Sequence, residues 1–472
     1  MNNKKVVHIL VFISFLFLSL IVYLTAIEIY YRDEYTQSTF NQRNIAQESK
    51  ILRGTVYDST KTALAYSEYN NNGVQVRKYP YNNLYSHVIG YSSPQYGKSL
   101  LEKVCNADLL GKNNIGEFFD IAKIINGTSG EGDDVYLTLN HNVQKRASEL
   151  MQKYNGALVA MNPKTGAIIA MVSKPDFNPN ADSLEAEWST LNTADNSPFL
   201  TRATMGLYAP GSTYKVVTTA LMYENDMQND VVDDNKGAVR FGDKSIANAS
   251  KKAYGTTNLE KAFINSSNVY FAYEGSKIDD KLHKNIAERF MLNKKINFDF
   301  PYSKSKYQTS SMMPLDCAIA SIGQGKTLTT PLELALIAST YANNGVMMKP
   351  YIVSEVKQKD GKIVSRSTSE TMAQPIDADI AQKVKDLMLK TVQSGTGTRA
   401  QIPGVKVCGK TGTAENELTV KDESKTHAVF IGFAPYDDPQ IAVSVVLEYA
   451  GGGGANAAPI AREVIKTYLS QM

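Results

Sequence analysis

Gly156-Ala157-Leu158-Val159-Ala160-Met161-Asn162-Pro163-Lys164-Thr165-Gly166-Ala167-Ile168-Ile169-Ala170-Met171-Val172-Ser173 sets the frame of the fold. Two apolar runs, Ala157 to Met161 and Ala167 to Ser173, flank Asn162-Pro163-Lys164-Thr165-Gly166, whose turn chemistry predicts a hairpin. Upstream, Val135 to Leu139 predicts a strand. His141 to Tyr154 predicts an amphipathic helix capped by Asn140, with Val143, Ala147 and Leu150 on one face. Far downstream, Val405 to Cys408, His427 to Phe433 and Gln440 to Leu447 read as strands, and Asn456 to Leu469 as a closing helix with Pro459 early in it. Residues from about 200 to 400 read as mostly helical. Strands at both ends of one domain, around a helical middle, are most simply joined in one antiparallel sheet with helices on its faces.

The 472 residues are too many for one compact core and suit two or three domains. Lys and Arg number 50 against 47 Asp and Glu, and a net charge of +3 gives no reason to invoke nucleic acid. Cys105, Cys317 and Cys408 are far apart and odd in number, which argues against a disulfide framework or a zinc site, and the five histidines form no H-E-x-x-H. Neither a metal nor a cofactor is expected. Val6 to Ile27 is an apolar run of about 22 residues, long enough to cross a bilayer. Lys4 and Lys5 precede it, which directs the N-terminus to the cytoplasm and everything after residue 32 to the outside. A cleaved signal peptide is the alternative. The length of the run and the Glu28-Ile29-Tyr30-Tyr31-Arg32 that follows favour an uncleaved, single-pass anchor. The expected division is a tip and anchor over residues 1–32, a stalk and small membrane-proximal pedestal over 33–133, and a large domain over 134–472. The stalk occupies 33 to about 52, and Gly127 to Asp133 reads as a linker.

Three short motifs follow one another: Ser212-Thr213-Tyr214-Lys215, Ser266-Ser267-Asn268 and Lys410-Thr411-Gly412-Thr413. Each alone is weak. S-x-x-K recurs at Ser303 to Lys306 and Ser354 to Lys357, and K-T-G recurs at Lys164 to Gly166, but those copies fall in a Lys/Ser-rich stretch, a strand-like run and a hairpin turn. Before Ser212, Pro210-Gly211 breaks the chain, and Val216, Val217, Ala220 and Leu221 then repeat at helical spacing. Ser212 is therefore expected at a helix start, with Lys215 one turn on and on the same face. A helix N-terminus favours a developing oxyanion. A serine hydroxyl needs a base to take its proton, and a lysine serves if burial and a nearby cation lower its pKa; Lys410 is a candidate for that cation. Ser266 can relay a proton to a leaving group, and Asn268 can hold a peptide. Lys410 and Thr411 can bind a C-terminal carboxylate beside a strand. The N–H groups of Thr413 and Ser212 can form an oxyanion hole, and Gly412 lets the backbone approach closely. The plainer alternatives are a capping serine with a solvated lysine, a polar loop, and a strand ending in a glycine turn. Gly325-Lys326-Thr327 resembles the end of a phosphate loop, but Ala320 stands where that loop needs glycine. His427 reads as a residue at a strand start.

The ordered set S-x-x-K, S-D-N and K-T-G is the known signature of penicillin-binding proteins and class A β-lactamases, and here Ser266-Ser267-Asn268 stands at the second place. The chain resembles the class B penicillin-binding proteins, monofunctional transpeptidases. The resemblance extends to Arg53-Gly54-Thr55-Val56-Tyr57-Asp58, His87 to Tyr91, Gly156 to Pro163, Pro175 to Asn180, Gly323-Gln324-Gly325, Thr330 to Ala335, Ser394 to Gly397 and His427 to Pro435, in family order. It implies an α/β (α+β) transpeptidase domain of the penicillin-binding-protein and β-lactamase type, with a central antiparallel sheet and a helical subdomain, on a small non-catalytic pedestal behind the membrane helix. It implies a donor peptidoglycan stem peptide ending in D-Ala-D-Ala, inhibition by β-lactams, and a membrane glycan polymerase of the SEDS type as partner, since this chain has no room for a glycosyltransferase domain. Ser59-Thr60-Lys61 departs from the family's usual Arg-Asn-Gly. A serine β-lactamase or β-lactam sensor, and a non-catalytic scaffold, are the rival readings. The first needs a deacylating glutamate in E-x-x-L-N, from which Glu288 is one residue out of register.

Overall fold

The computed structural model describes residues 3–31, 48–111, 130–415 and 425–472. The expected stalk from 33 to 47 and the first part of the expected linker, 127–129, lie outside the described residues. Helix α1 spans Asn3–Ala26. It is apolar all round, with Phe12, Phe15, Phe17 and Leu18 more than 60% exposed. The length and composition suffice to cross a membrane, and lipid would remove the cost of that exposure.

Residues 53–111 build a small unit around a buried ion cluster. Glu102 is fully buried and takes hydrogen bonds from Arg53 Nε at 2.6 Å and Arg77 Nε at 2.7 Å. Burial alone would raise the Glu102 pKa, but the two guanidiniums and their hydrogen bonds outweigh it and hold the carboxyl down at about 2. The sign follows: this stabilisation is complete above the unfolded value of about 4.3 and is lost as pH falls through about 2. Glu102→Ala strands two buried guanidiniums. It is expected to destabilise this unit by about 3–5 kcal/mol, read as earlier thermal unfolding and faster proteolysis near residue 102.

The unit does not stand apart from the large domain. A six-stranded sheet runs in the order Ile363–Arg366, Val353–Lys357, Asp134–Leu137, Val56–Tyr57, Ala63–Tyr69, Gln75–Lys78. Val56 pairs in parallel with Val135, so a continuous sheet crosses the expected boundary at residue 133. Asp58 accepts from the N–H groups of Thr60, Thr62 and His141, tying the following turn to a helix of the large domain. Within that turn Lys61 sits at φ 66°, a left-handed conformation that a glycine would adopt without strain.

The central sheet is formed by β1 (Gly156–Met161), β2 (Ile168–Lys174), β3 (Cys408–Ala414), β4 (His427–Ala434) and β5 (Ile441–Leu447). Its order is β3-β4-β5-β1-β2, with each neighbouring pair antiparallel. Alternate residues supply two cores. Leu158, Ala160, Phe430, Val443 and Val445 face one side; Ala157, Val159, Val429, Ile431 and Val446 face the other. Both faces are covered, so these strands read as unbroken apolar runs. Helix α2 (His141–Leu150) and the closing helix (Gly453–Leu469) cover one face, and the wholly buried helix Pro331–Ala342 covers the other. Thr330 and Glu333 form a capping box at the start of that buried helix.

Three sequence expectations change. The strand placed at Val405 to Cys408 instead runs Cys408–Ala414 and contains the K-T-G motif, because its polar side chains are buried toward a cleft and carry no apolar signal. The helical middle also holds ribbons, Val231–Asp234 with Gly255–Asn258 and Ala238–Phe241 with Lys244–Ala247. The closing helix starts three residues early, at Gly453.

Candidate active site

Ser212 lies in a 3-10 turn, Gly211–Tyr214, and helix α3 (Lys215–Glu224) begins directly after it. The α-helix expected from Ser212 thus starts at Lys215, behind one tighter turn closed by Thr213 Oγ1 donating to Pro210 O at 2.7 Å. This turn is pressed against β3. Gly211 has φ 54°, and a Cβ there would come within 2.7 Å of Thr413 O. A Cβ on Gly412 would come within 3.0 Å of Pro210 O. Both glycines are needed for two backbones to approach this closely. β3 is an edge strand of its sheet, so its outer side is open to another extended chain. Ser212 is half-buried and Thr413 exposed at this edge.

Lys215 is fully buried one turn after Ser212. Its Nζ donates to Ser266 O at 2.8 Å and to Asn268 Oδ1 at 2.8 Å. Burial, and then the charge of Lys410, push its pKa well below the usual lysine range. A neutral amine has two N–H bonds and one lone pair. The two acceptors occupy the N–H bonds, which leaves the lone pair free to accept a proton. Ser266 stands between the two lysines at φ 60°, a strained conformation for a residue with a side chain. Its hydroxyl accepts from Lys410 Nζ at 2.9 Å, while Lys215 Nζ is 3.5 Å away, too long for a strong bond. Lys410 is fully buried, and burial pulls its pKa down to about 7. Lys215, Ser266, Asn268 and Lys410 thus join in one buried hydrogen-bond cluster, and the turn that holds Ser212 packs against β3 at Gly412 and Thr413.

The competing copies of the motifs lie elsewhere. Ser354 Oγ donates to Tyr136 O in the six-stranded sheet, and Lys164 N is held by Asn162 Oδ1 in the hairpin turn. His427 Nδ1 accepts from Tyr449 N at 3.1 Å. Sequence reasoning missed two side chains behind the cleft, Asp234 and Asn248, which hydrogen-bond to the 266–268 link through Ser267 and Asn268. No motif marks them, since their partners are 20 and 33 residues away in the chain. Thr396 Oγ1 lies 2.6 Å from Thr411 Oγ1; only its place in the Ser394 to Gly397 stretch signalled it.

Known proteins resemble this chain over nearly its whole length. The penicillin binding protein transpeptidase domain family matches residues 156–466, and the penicillin binding protein A dimerisation domain family matches residues 53–135. The peptidoglycan D,D-transpeptidase PbpA of Mycolicibacterium smegmatis is 32% identical over 99% of this chain and 99% of its own length. A crystal structure of the D,D-transpeptidase domain of a peptidoglycan glycosyltransferase from Eggerthella lenta is 34% identical, covers 89% of this chain and 99% of that one, and superposes with a TM-score of 0.79. The penicillin G acyl-enzyme complex of penicillin-binding protein A from M. tuberculosis is 29% identical, covers 89% of this chain and 100% of that one, and has a TM-score of 0.81.

Proposed function

This chain belongs to the penicillin-binding protein transpeptidase family, and from that premise we propose how its own residues carry a D,D-transpeptidase reaction. The chain is a serine-type peptidoglycan D,D-transpeptidase of cell-wall synthesis. It binds peptidoglycan stem peptides and is acylated by β-lactams. Ser212 is the nucleophile. Its Oγ attacks the carbonyl of the penultimate D-Ala, and its proton passes to the Lys215 lone pair. The N–H groups of Ser212 and Thr413 stabilise the oxyanion. Lys410 and Thr411 hold the terminal carboxylate while the donor peptide lies along the edge of β3. The C–N bond then breaks. A proton delivered through Ser266, assisted by Lys410, reaches the leaving amine, and terminal D-Ala departs from a Ser212 ester. An amine of a neighbouring stem attacks that ester, forms the cross-linking amide and returns a proton to Ser212. Asn268 keeps Lys215 in place and faces the bound peptide. The observation that carries this reading is the pair of acceptors on Lys215, which occupy two N–H bonds of the amine and leave its one lone pair to take a proton.

The proposed division is an anchor over 1–32, a stalk and pedestal over 33–133 and the transpeptidase domain over 134–472. The anchor crosses the plasma membrane once. Lys4 and Lys5 support a cytoplasmic N-terminus with the catalytic domain outside. A membrane glycan polymerase of the SEDS type is the proposed partner; the exposed apolar surface of α1 suits lipid or a partner helix. The test is to treat the protein with penicillin, digest it and map the adduct by mass. It is expected only on the peptide holding Ser212. An adduct on the Ser303 or Ser354 peptide instead would overturn the assignment.

A further inference from the structure

Two side chains face the 266–268 link from the Val231–Asp234 strand and the end of the 238–247 hairpin, neither with a place in the reaction above. Asn248 is buried at 4% exposure, and its side chain is saturated with partners. Its Nδ2 donates to Asp234 Oδ2 at 2.6 Å and to Lys252 O at 2.8 Å. Carboxylate and carbonyl oxygens are acceptors, which sets the amide with its Nδ2 toward them. Its Oδ1 must therefore point the other way, where it accepts from Asn268 N at 2.7 Å, Val269 N at 3.1 Å and Ser267 Oγ at 3.2 Å. The first two are unpaired N–H groups of the first turn of helix Asn268–Gly275. A side chain some 20 residues earlier in the chain thus caps this helix from outside. The adjoining Ala247 completes the arrangement: its carbonyl accepts from Asn268 Nδ2 at 2.8 Å, which turns Asn268 Oδ1 toward Lys215.

We infer that Asn248 is a positioning residue for acylation: it fixes Asn268 so that the amide oxygen takes one N–H of Lys215 and keeps the amine lone pair aimed at Ser212. The inference rests on Lys215 being the base. Asp234 is part of the same device, since its carboxylate sets the orientation of Asn248. Without Asn248, the first turn of the helix and Asn268 can shift by a fraction of an ångström, enough to misdirect the amine although every group at the cleft remains. Misplacement on this scale lowers rates on the order of 10- to 100-fold.

The experiment is a double-mutant cycle in the full chain, read as the acylation rate by a fluorescent penicillin, with thermal unfolding measured alongside. Asn268→Ala is expected to slow acylation by about 100-fold and Asn248→Ala by about 10-fold or more. The double variant is expected to match Asn268→Ala alone, because Asn248 acts only through it. Costs that multiply in the double variant, or an Asn248→Ala rate equal to the parent's, overturn the inference. If Asn248→Ala does not fold, Asn248→Ser, which keeps one acceptor for the helix N–H groups, takes its place in the cycle. If Asn268→Ala and Lys215→Ala both acylate normally, the reading of Lys215 as base fails, and that outcome is distinct from a failure of Asn248 alone.

Discussion

Ser212→Ala is expected to abolish covalent labelling by a fluorescent penicillin while the protein folds and melts as before. The acyl-enzyme is a bond to Ser212 Oγ, and no rearrangement of the remaining residues supplies another oxygen at that point. Ser266 is another hydroxyl of the site, but it accepts from Lys410 and sits at the end of a different helix. Turnover of a D-Ala-D-Ala stem peptide should fall on the order of 10⁶-fold, the loss found when a serine nucleophile is removed. Stability should change by less than about 0.5 kcal/mol, because the Ser212 side chain is half-exposed and belongs to neither core. Labelled protein on a denaturing gel, or a penicilloyl mass shift in the variant, would show that the nucleophile lies elsewhere. Reversible binding should persist, since β3 and Lys410 are untouched.

Lys215→Arg is expected to slow acylation on the order of 10²- to 10⁴-fold, the full contribution of a positioned general base. A guanidinium keeps its charge at every accessible pH and has no lone pair to accept the Ser212 proton. The parent enzyme should show the complementary pH dependence. Protonating Lys215 removes the base, so acylation falls toward acid. With the Lys215 pKa pushed well below the usual lysine range by burial and by Lys410, that fall comes far below the pH of about 10.4 at which an ordinary lysine titrates. Lys410 loses its charge as pH rises through about 7, so the grip on a substrate carboxylate weakens above that point and kcat/KM declines on the alkaline side. Stopped-flow acylation across pH measures both limbs. Lys215→Arg should flatten the acid limb; a parent enzyme whose acylation rate climbs steadily to pH 10 would mean that Lys215 is an ordinary, charged lysine.

Much of the fold was legible because local chemistry recorded it. The hairpin Gly156 to Ser173 carries its turn in Asn162 to Gly166, and Asn162 Oδ1 takes the N–H groups of Lys164 and Thr165 as that chemistry requires. The helix expected from His141 to Tyr154 begins where Asn140 caps it, accepting from Val143 N, but ends at Leu150. Strands β1, β4 and β5 are buried on both faces, so their apolar runs announce them. Strand β3 failed the same reading. Its Lys410 and Thr411 are buried against other polar groups, and apolar content is blind to burial of that kind.

The sequence by itself determined the residue types and their order, the membrane-length helix, and the sheet drawn from both ends of the large domain, because each depends on neighbours a few positions away. Only the tertiary structure decided the chemical state of the cleft. Lys215 meets Ser266 across 51 residues and Lys410 meets it across 144, and that meeting buries both amines away from water. Burial lowers their pKa values, and the fixed carbonyl of Ala247 and amide of Asn248 set which way Asn268 points. A lysine is a cation until a folded interior strips its water, and no local pattern of residues reports that loss.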